Sequence, residues 1–381
     1  MKNHRALFPI TERFAYMDHA SMGPISRPVI DAQRAFLERQ ATLGSEAAPE
    51  FREASRRLRR SMADFIGADS DEIALTKNTP EGLCMVANGL SWGPRENVVT
   101  TDLEFPANMY PWLNLEGKGV EVRIVRSERG CLPTKRVVEA IDARTRLVAI
   151  SLVQFSTGLR SDLATLAEYC RPRGIYLVTD AIQAVGVLPV DVHRLGVDFL
   201  ACASHKWLLG PFGMGWFYCR KELLEQLRPT EVGQASVAQR ESWLDYRLEF
   251  HPTAARFECG VVNFEGVHGL QASLDVLKEA GRQPIYDRIV ALNDHLIEGL
   301  DARGYEVVSS RVTCERSGIV SFRSERHDSA ALHKRLHEAE VIVSLREGLV
   351  RVSPHFYNDT DDVDRLLAAL PGGALHASDD R

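Results

Sequence analysis

The sequence predicts an α/β protein: a largely parallel sheet with helices on both faces, followed by a smaller α+β domain. Three observations carry this expectation. From residue 72 to about residue 219, short apolar runs alternate with stretches of helical spacing, as strands alternate with helices in parallel sheets. Two long helical stretches then separate this region from a segment where strands and helices follow a different pattern. Finally, a chain of 381 residues with 45% hydrophobic and 26% charged content can bury a large core and suggests two or three domains.

The elements follow in order. Residues 1–25 read as an arm ending in the turn-rich Tyr16-Met17-Asp18-His19-Ala20-Ser21-Met22-Gly23-Pro24. A helix over 27–43 carries Val29, Ala32, Phe36 and Leu37 at helical spacing. The next, over 49–66, turns a solvated basic face outward with Arg56, Arg57, Arg59 and Arg60. Strands are expected at 72–75, 97–101, 120–125, 147–152, 175–179 and 199–203, with 214–219 returning along the sheet. Helices fall between them at 79–90, near 107–115, and at 134–141 and 162–171. Long helices at 266–281 and 284–304 follow. The last segment has strands at 305–309, 319–323, 341–345 and 349–352 and helices at 329–338 and 360–369. This divides the chain into an arm (1–25), a large domain (26–270), a small domain (271–370) and a polar tail (371–381) expected to lack order.

Composition excludes some partners. A net charge of -6 and a pI near 6.1 argue against nucleic acid or an anionic membrane. Residues 1–14 lack the apolar core of a signal peptide, and no apolar run is long enough to span a bilayer. Seven cysteines without CxxC spacing read as reduced thiols in a cytoplasmic protein.

The stretch richest in chemistry is Phe199-Leu200-Ala201-Cys202-Ala203-Ser204-His205-Lys206-Trp207-Leu208-Leu209-Gly210-Pro211. An apolar strand delivers Lys206 to the edge of a core, where desolvation lowers an amine's pKa and makes it a nucleophile toward a carbonyl cofactor. The plain alternative is a lysine reaching from a strand end to water. Four features converge on the same sheet edge, where open α/β sheets place ligands. At Thr79-Pro80-Glu81, Thr79 can cap a helix whose free N–H groups suit a phosphate. Asp180 directly follows a buried strand and can hold a pyridine nitrogen protonated; its alternative is helix capping, and that of Gln183, one turn on, is a surface amide. Phe105 follows a strand and can stack on a flat ring or pack in the core. Arg351, in an apolar strand, can clamp a carboxylate or close an internal salt bridge, with Arg346 a second candidate.

Together these residues resemble the class V aminotransferase family of enzymes that use pyridoxal 5'-phosphate (PLP), in the branch of cysteine desulfurases and isopenicillin-N-epimerase-like proteins. The resemblance runs from about Tyr16 to Leu370, and its core is Asp180-x-x-Gln183 followed by Ser204-His205-Lys206. It implies fold type I, with a seven-stranded type of sheet. Lys206 then looks like the Schiff-base lysine, Asp180 the partner of the pyridine nitrogen, Gln183 a ligand of the ring hydroxyl and His205 a phosphate-side contact. Thr79, Pro80 and Glu81 resemble the phosphate cradle, Phe105 the stacking ring and Arg351 the substrate-carboxylate clamp. The resemblance also implies a homodimer with shared active sites, with residues 256–260 offered across the interface. Substrate specificity is expected from His19 on the arm and from residues 234–250.

The chain departs from the family pattern in three places. Phe155 stands where many relatives have an asparagine near the ring hydroxyl, leaving Gln154 or Ser156 to supply that hydrogen bond. Val261 replaces a threonine offered to the phosphate. The stretch 341–348, ahead of the clamp arginine, has no cysteine, which argues against a persulfide-forming desulfurase. Amino-acid transamination or C–S β-elimination is expected, with epimerisation as an alternative. An NAD-dependent oxidoreductase would need GxGxxG, which Gly210-x-x-Gly213-x-Gly215 does not match. A non-catalytic scaffold would bind PLP without turnover. His333 and His337, spaced i,i+4, lack the third ligand of a zinc site, and no metal is expected.

Overall fold

The computed structural model describes residues 4–372 apart from 129, 239–243 and 245. Parts of the expected specificity region (234–250) and of the tail (371–381) therefore lie outside the described residues.

Its centre is a seven-stranded sheet with the order Ile73–Thr76, Gly215–Cys219, Phe199–Ala203, Tyr176–Asp180, Thr145–Ala149, Asn97–Thr101 and Glu121–Val125. Only Gly215–Cys219 runs against the others, pairing antiparallel with both neighbours. Alternate strand residues feed opposite faces. Leu75, Val99, Val148, Leu177, Leu200 and Trp216 enter one core cluster, and Ala74, Val98, Leu147, Val178, Ala201 and Phe217 the other. Because helices cover both faces, the central strands are buried on both sides and show no polar alternation. Two helices illustrate how closely the layers pack. Thr79–Gly89 lies against Phe199–Ala203 through Gly82, where an added Cβ would come within 2.9 Å of the Ala201 Cβ. Phe264–Ala280 packs against both Arg27–Leu43 and Ala48–Ile66.

A second, four-stranded antiparallel sheet has the order Ser344–Arg346, Leu349–Val352, Val320–Arg323, Glu306–Val307. Its first hairpin turns through Glu347 and Gly348, both at positive φ (48° and 75°), the backbone of a two-residue type I′ turn. Helices Arg282–Asp301, Ser329–Glu338 and Thr360–Ala369 contribute to the core packed with it.

The structure corrects two expectations here. The strand expected at 341–345 divides at Val343. Val341–Ile342 pairs in parallel with Ala15–Tyr16, while Ser344–Arg346 joins the four-stranded sheet. The N-terminal arm is thus tied down: Ala15 and Met17 are fully buried in the core beside the small sheet, and Asp18 bridges to Ser353. The helix expected near 107–115 breaks into Pro106–Asn108, Tyr110–Leu113 and Asn114–Lys118. Pro106 and Pro111 each sit in the first turn of a short helix, the position where a missing N–H costs least.

Candidate active site

Because the strands around it are parallel, Thr76, Thr101, Ala149, Asp180 and Ala203 all end at one edge of the large sheet. The residues just beyond those ends build the site. Asp180 is the last residue of its strand and pairs with Ala201, so Lys206, a few residues past Ala203, emerges beside it.

Asp180 is buried, and one oxygen accepts from the Ile182 N–H at 2.8 Å. Burial pushes its carboxyl up to about 7 against the pull of that N–H and of Lys206. Lys206 is only partly accessible, and desolvation brings its ammonium down to about 8; Asp180 works against that shift, and the cation of Arg351 reinforces it. A carboxyl and an amine thus face one another, both poised near neutrality, the arrangement expected of catalytic groups. The Lys206 Nζ lies 5.5 Å from the centre of the Phe105 ring, which is 43% exposed and meets Phe155 edge-on at 5.2 Å.

At the neighbouring strand end the structure revises the expected roles. Asn78 caps the helix Thr79–Gly89, its side chain accepting from the Glu81 N–H at 3.0 Å, and Thr79 is the first helical residue. The Thr79 hydroxyl is therefore not used as a cap, and it is buried with no hydrogen-bond partner among the described residues. A buried polar atom without a partner costs on the order of 1–3 kcal/mol unless a ligand satisfies it. Pro80 follows in the first turn, without an N–H to offer. The Glu81 N–H is taken by Asn78, and its carboxylate pairs with the backbone N–H and the ammonium of Lys77.

Three other expected ligands are also engaged internally. Gln183 donates to the Ala20 carbonyl at 2.9 Å and accepts from the Trp207 indole at 2.8 Å, joining the arm to the lysine segment. His19, placed at the substrate by the sequence, is fully buried; one ring nitrogen meets the Ser353 carbonyl at 2.8 Å and the other the Tyr357 hydroxyl at 2.7 Å. It supports Trp207 from behind, in a cluster of rings that includes His355. His205 stacks on Phe212 at 5.1 Å, and desolvation lowers its imidazolium to about 4, so it is a neutral donor or acceptor at pH 7.

Arg351 is buried. It donates to the Phe155 carbonyl at 2.7 Å and to the hydroxyls of Ser21 at 2.7 Å and Ser344 at 3.0 Å, with Asp18 at 3.5 Å; its Nε has no hydrogen-bond partner among the described residues. The residue that replaces the expected asparagine thus holds Arg351 through its backbone. Of residues 256–260, Arg256 donates to the His251 and Leu224 carbonyls, Phe257 is in the core and Glu258 pairs with Arg59, while Cys259 and Gly260 are partly exposed. Val261, just beyond, is 80% exposed. His333, considered for zinc, meets the Val343 carbonyl.

The sequence reading missed the buried carboxylate of Glu104. It accepts from the Ser151 N–H at 2.7 Å, Gln154 at 3.0 Å, Asn108 at 2.8 Å and the Ser151 hydroxyl. Its charge helps raise the Asp180 carboxyl. An acidic residue immediately past a strand end was the available signal.

The site therefore fits PLP on this chain's own terms. An uncompensated hydroxyl lies at a helix N-terminus, where a phosphate is favoured. An exposed ring stands beside the amine, and a buried acid stands where a pyridine nitrogen would meet it.

The comparisons agree with this geometry. The family model described as aminotransferase class-V matches residues 15–366. A probable cysteine desulfurase of Methanothermobacter thermautotrophicus is 33% identical over 95% of each chain. The apo cysteine desulfurase of Thermococcus onnurineus superposes with a TM-score of 0.88 at 27% identity, over 96% of this chain and 95% of that one. A lysine variant of C-DES, solved with glycine covalently linked to its PLP cofactor, shares the fold with a TM-score of 0.90 at 23% identity, over 96% and 98% of the two chains. The mostly parallel sheet with its flanking helices, the fold type I architecture, and the match along the chain agree: this protein belongs to the class V aminotransferase family.

Proposed function

We propose that the protein is a PLP-dependent enzyme that acts at the Cα of an amino acid, with C–S β-lyase chemistry as its reaction. The observation that carries this reading is the pairing of Lys206 with Asp180 at adjacent strand ends, the amine at about 8 and the acid at about 7. The cofactor, when bound, supplies an electron sink for the charge that develops at Cα. Lys206 would be its covalent anchor, Asp180 the partner of its ring nitrogen, Phe105 its stacking ring and the Thr79 hydroxyl a phosphate ligand. Lys206 would then be the general base: lowered to about 8, its amine is about half neutral near pH 8, and the neutral Nζ would take the Cα proton. Asp180, buried at its strand end, would keep the ring nitrogen protonated. Arg351 orients the substrate carboxylate, held by Phe155, Ser344 and Ser21. When the Cβ–S bond breaks, its electrons leave with sulfur, which takes a proton; the remaining three-carbon unit hydrolyses to pyruvate and ammonia.

Among the relatives are cysteine desulfurases, and a structural neighbour is described as a cystine C–S lyase. The lyase reading is preferred because the hairpin ahead of Arg351 carries no cysteine to accept sulfur. Transamination remains the second reading, because it begins with the same proton transfer to Lys206.

We further place the protein in the cytoplasm as a homodimer. Supporting the first, all seven cysteines are free, and among the described residues no helix is long and apolar enough to cross a membrane. Supporting the second, Phe212, Val232 and Val261 are exposed apolar side chains. The test is direct. Purified protein given PLP should gain visible absorbance, shift it on adding cysteine thioethers and release pyruvate and ammonia. Absence of the absorbance, or keto acids formed without loss of sulfur, would refute the lyase reading.

A further inference from the structure

Two guanidinium groups converge on one oxygen beside the candidate active site. Arg346 and Arg351 lie on the two strands of the Glu347-Gly348 hairpin, and both donate to the Ser21 hydroxyl, at 3.0 and 2.7 Å. Like charges so close repel each other, and the arginines are not equally compensated. Arg351 has Asp18 at 3.5 Å, whereas Arg346 has no carboxylate partner among the described residues, only the Leu345 carbonyl and Ser21. Asp18 is already engaged by the Ser344 hydroxyl as well as by Arg351. The Phe155 carbonyl takes Arg351, the Phe155 ring meets Phe105 edge-on, and Phe105 lies beside the Lys206 amine, so the two arginines adjoin the same space. The groups around that space are therefore the cations Lys206, Arg346 and Arg351 and the acids Asp18 and Asp180. An amino acid's single carboxylate satisfies Arg351 and leaves Arg346 uncompensated. Ser21 and Arg346 are partly exposed, so a second anionic group can reach them.

We propose that Arg346 reads a second carboxylate at the end of the substrate's side chain. The substrate class is then an α-amino acid with an acidic side-chain terminus, such as a cysteine thioether bearing a carboxylate on its S-substituent. Arg346 is the specificity-determining residue. Its planar fork suits bidentate capture of a carboxylate, and Ser21 presets its direction. This inference rests on the proposed cofactor chemistry and extends it to the side chain.

A matched pair of substrates tests it. S-carboxymethyl-L-cysteine and S-ethyl-L-cysteine are close in size and differ in the terminal charge. The PLP-loaded enzyme should favour the acidic one in kcat/KM by at least tenfold. Arg346→Gln should remove most of that preference, acting mainly on KM for the acidic substrate, and Arg346→Lys should recover part of it. A wild-type enzyme indifferent to the charge, or an Arg346→Gln variant that loses both substrates equally, would overturn the proposal. Calorimetry supplies a readout without turnover: succinate should bind at least tenfold more tightly than butyrate, with the difference lost in Arg346→Gln. If the enzyme forms no cofactor absorbance, the proposed chemistry fails, while the succinate–butyrate contrast still decides the role of Arg346.

Discussion

The Thr79 hydroxyl gives a prediction whose sign differs between the cofactor-free and the loaded protein. Thr79→Val keeps the branched shape at the first helical position and deletes one oxygen. That oxygen is buried and has no partner among the described residues, so in the cofactor-free protein it carries a desolvation cost of about 1–3 kcal/mol that valine does not. The variant should therefore be more stable than the wild type without PLP. In the loaded protein the same oxygen would donate to a phosphate, and a hydrogen bond to a charged group contributes about 1.5–3 kcal/mol. PLP should then bind the variant roughly ten- to a hundredfold more weakly, since each 1.4 kcal/mol is a factor of ten. Thermal unfolding of the cofactor-free proteins and equilibrium dialysis with PLP measure the two effects separately. Unchanged PLP affinity together with lower stability would refute the reasoning, because the hydroxyl would then be serving the fold.

Other outcomes follow from the same structure. The Lys206 amine, lowered to about 8 by burial, reacts only when neutral, so the rate at which cofactor-free protein attaches PLP should rise with pH and level off above about 8; a flat rate from pH 6 to 9 would contradict this. Gly23→Ala would place a Cβ 2.1 Å from the Lys206 carbonyl oxygen, driving the arm off the lysine segment; stability should fall by about 1–3 kcal/mol or more, with loss of activity, as unfolding and turnover assays would show. Trp207→Phe leaves the Gln183 oxygen without its indole donor and opens space in the core, costing about 1–3 kcal/mol from the unsatisfied group alone, measurable by denaturant titration.

Much of the fold was legible because its signals were local. Helices such as Arg27–Leu43 and Thr360–Ala369 carry their apolar residues at helical spacing. Strands such as Phe199–Ala203 are short apolar runs buried on both faces. What the sequence concealed depended on distant partners. No local pattern announces that Ala15–Tyr16 pairs with Val341–Ile342, since two residues are too few to show a period. In the site, position at or past a strand end was enough to place Lys206, Asp180, Phe105 and Thr79 on one edge of the large sheet. Side-chain engagement was not readable in that way. Gln183 and His19 lie close to the expected place, but their polar atoms face Ala20, Trp207, Ser353 and Tyr357, partners remote in sequence. Glu104 was overlooked for the same reason, because its four donors come from three separate residues on two strand-end loops.

Borohydride reduction of the PLP-loaded protein, followed by peptide mass spectrometry, bears most directly on all of this. The cofactor's mass should be found on the Nζ of Lys206, with Asp180→Asn weakening its retention. Attachment at a different lysine, or no covalent adduct at all, would contradict the account.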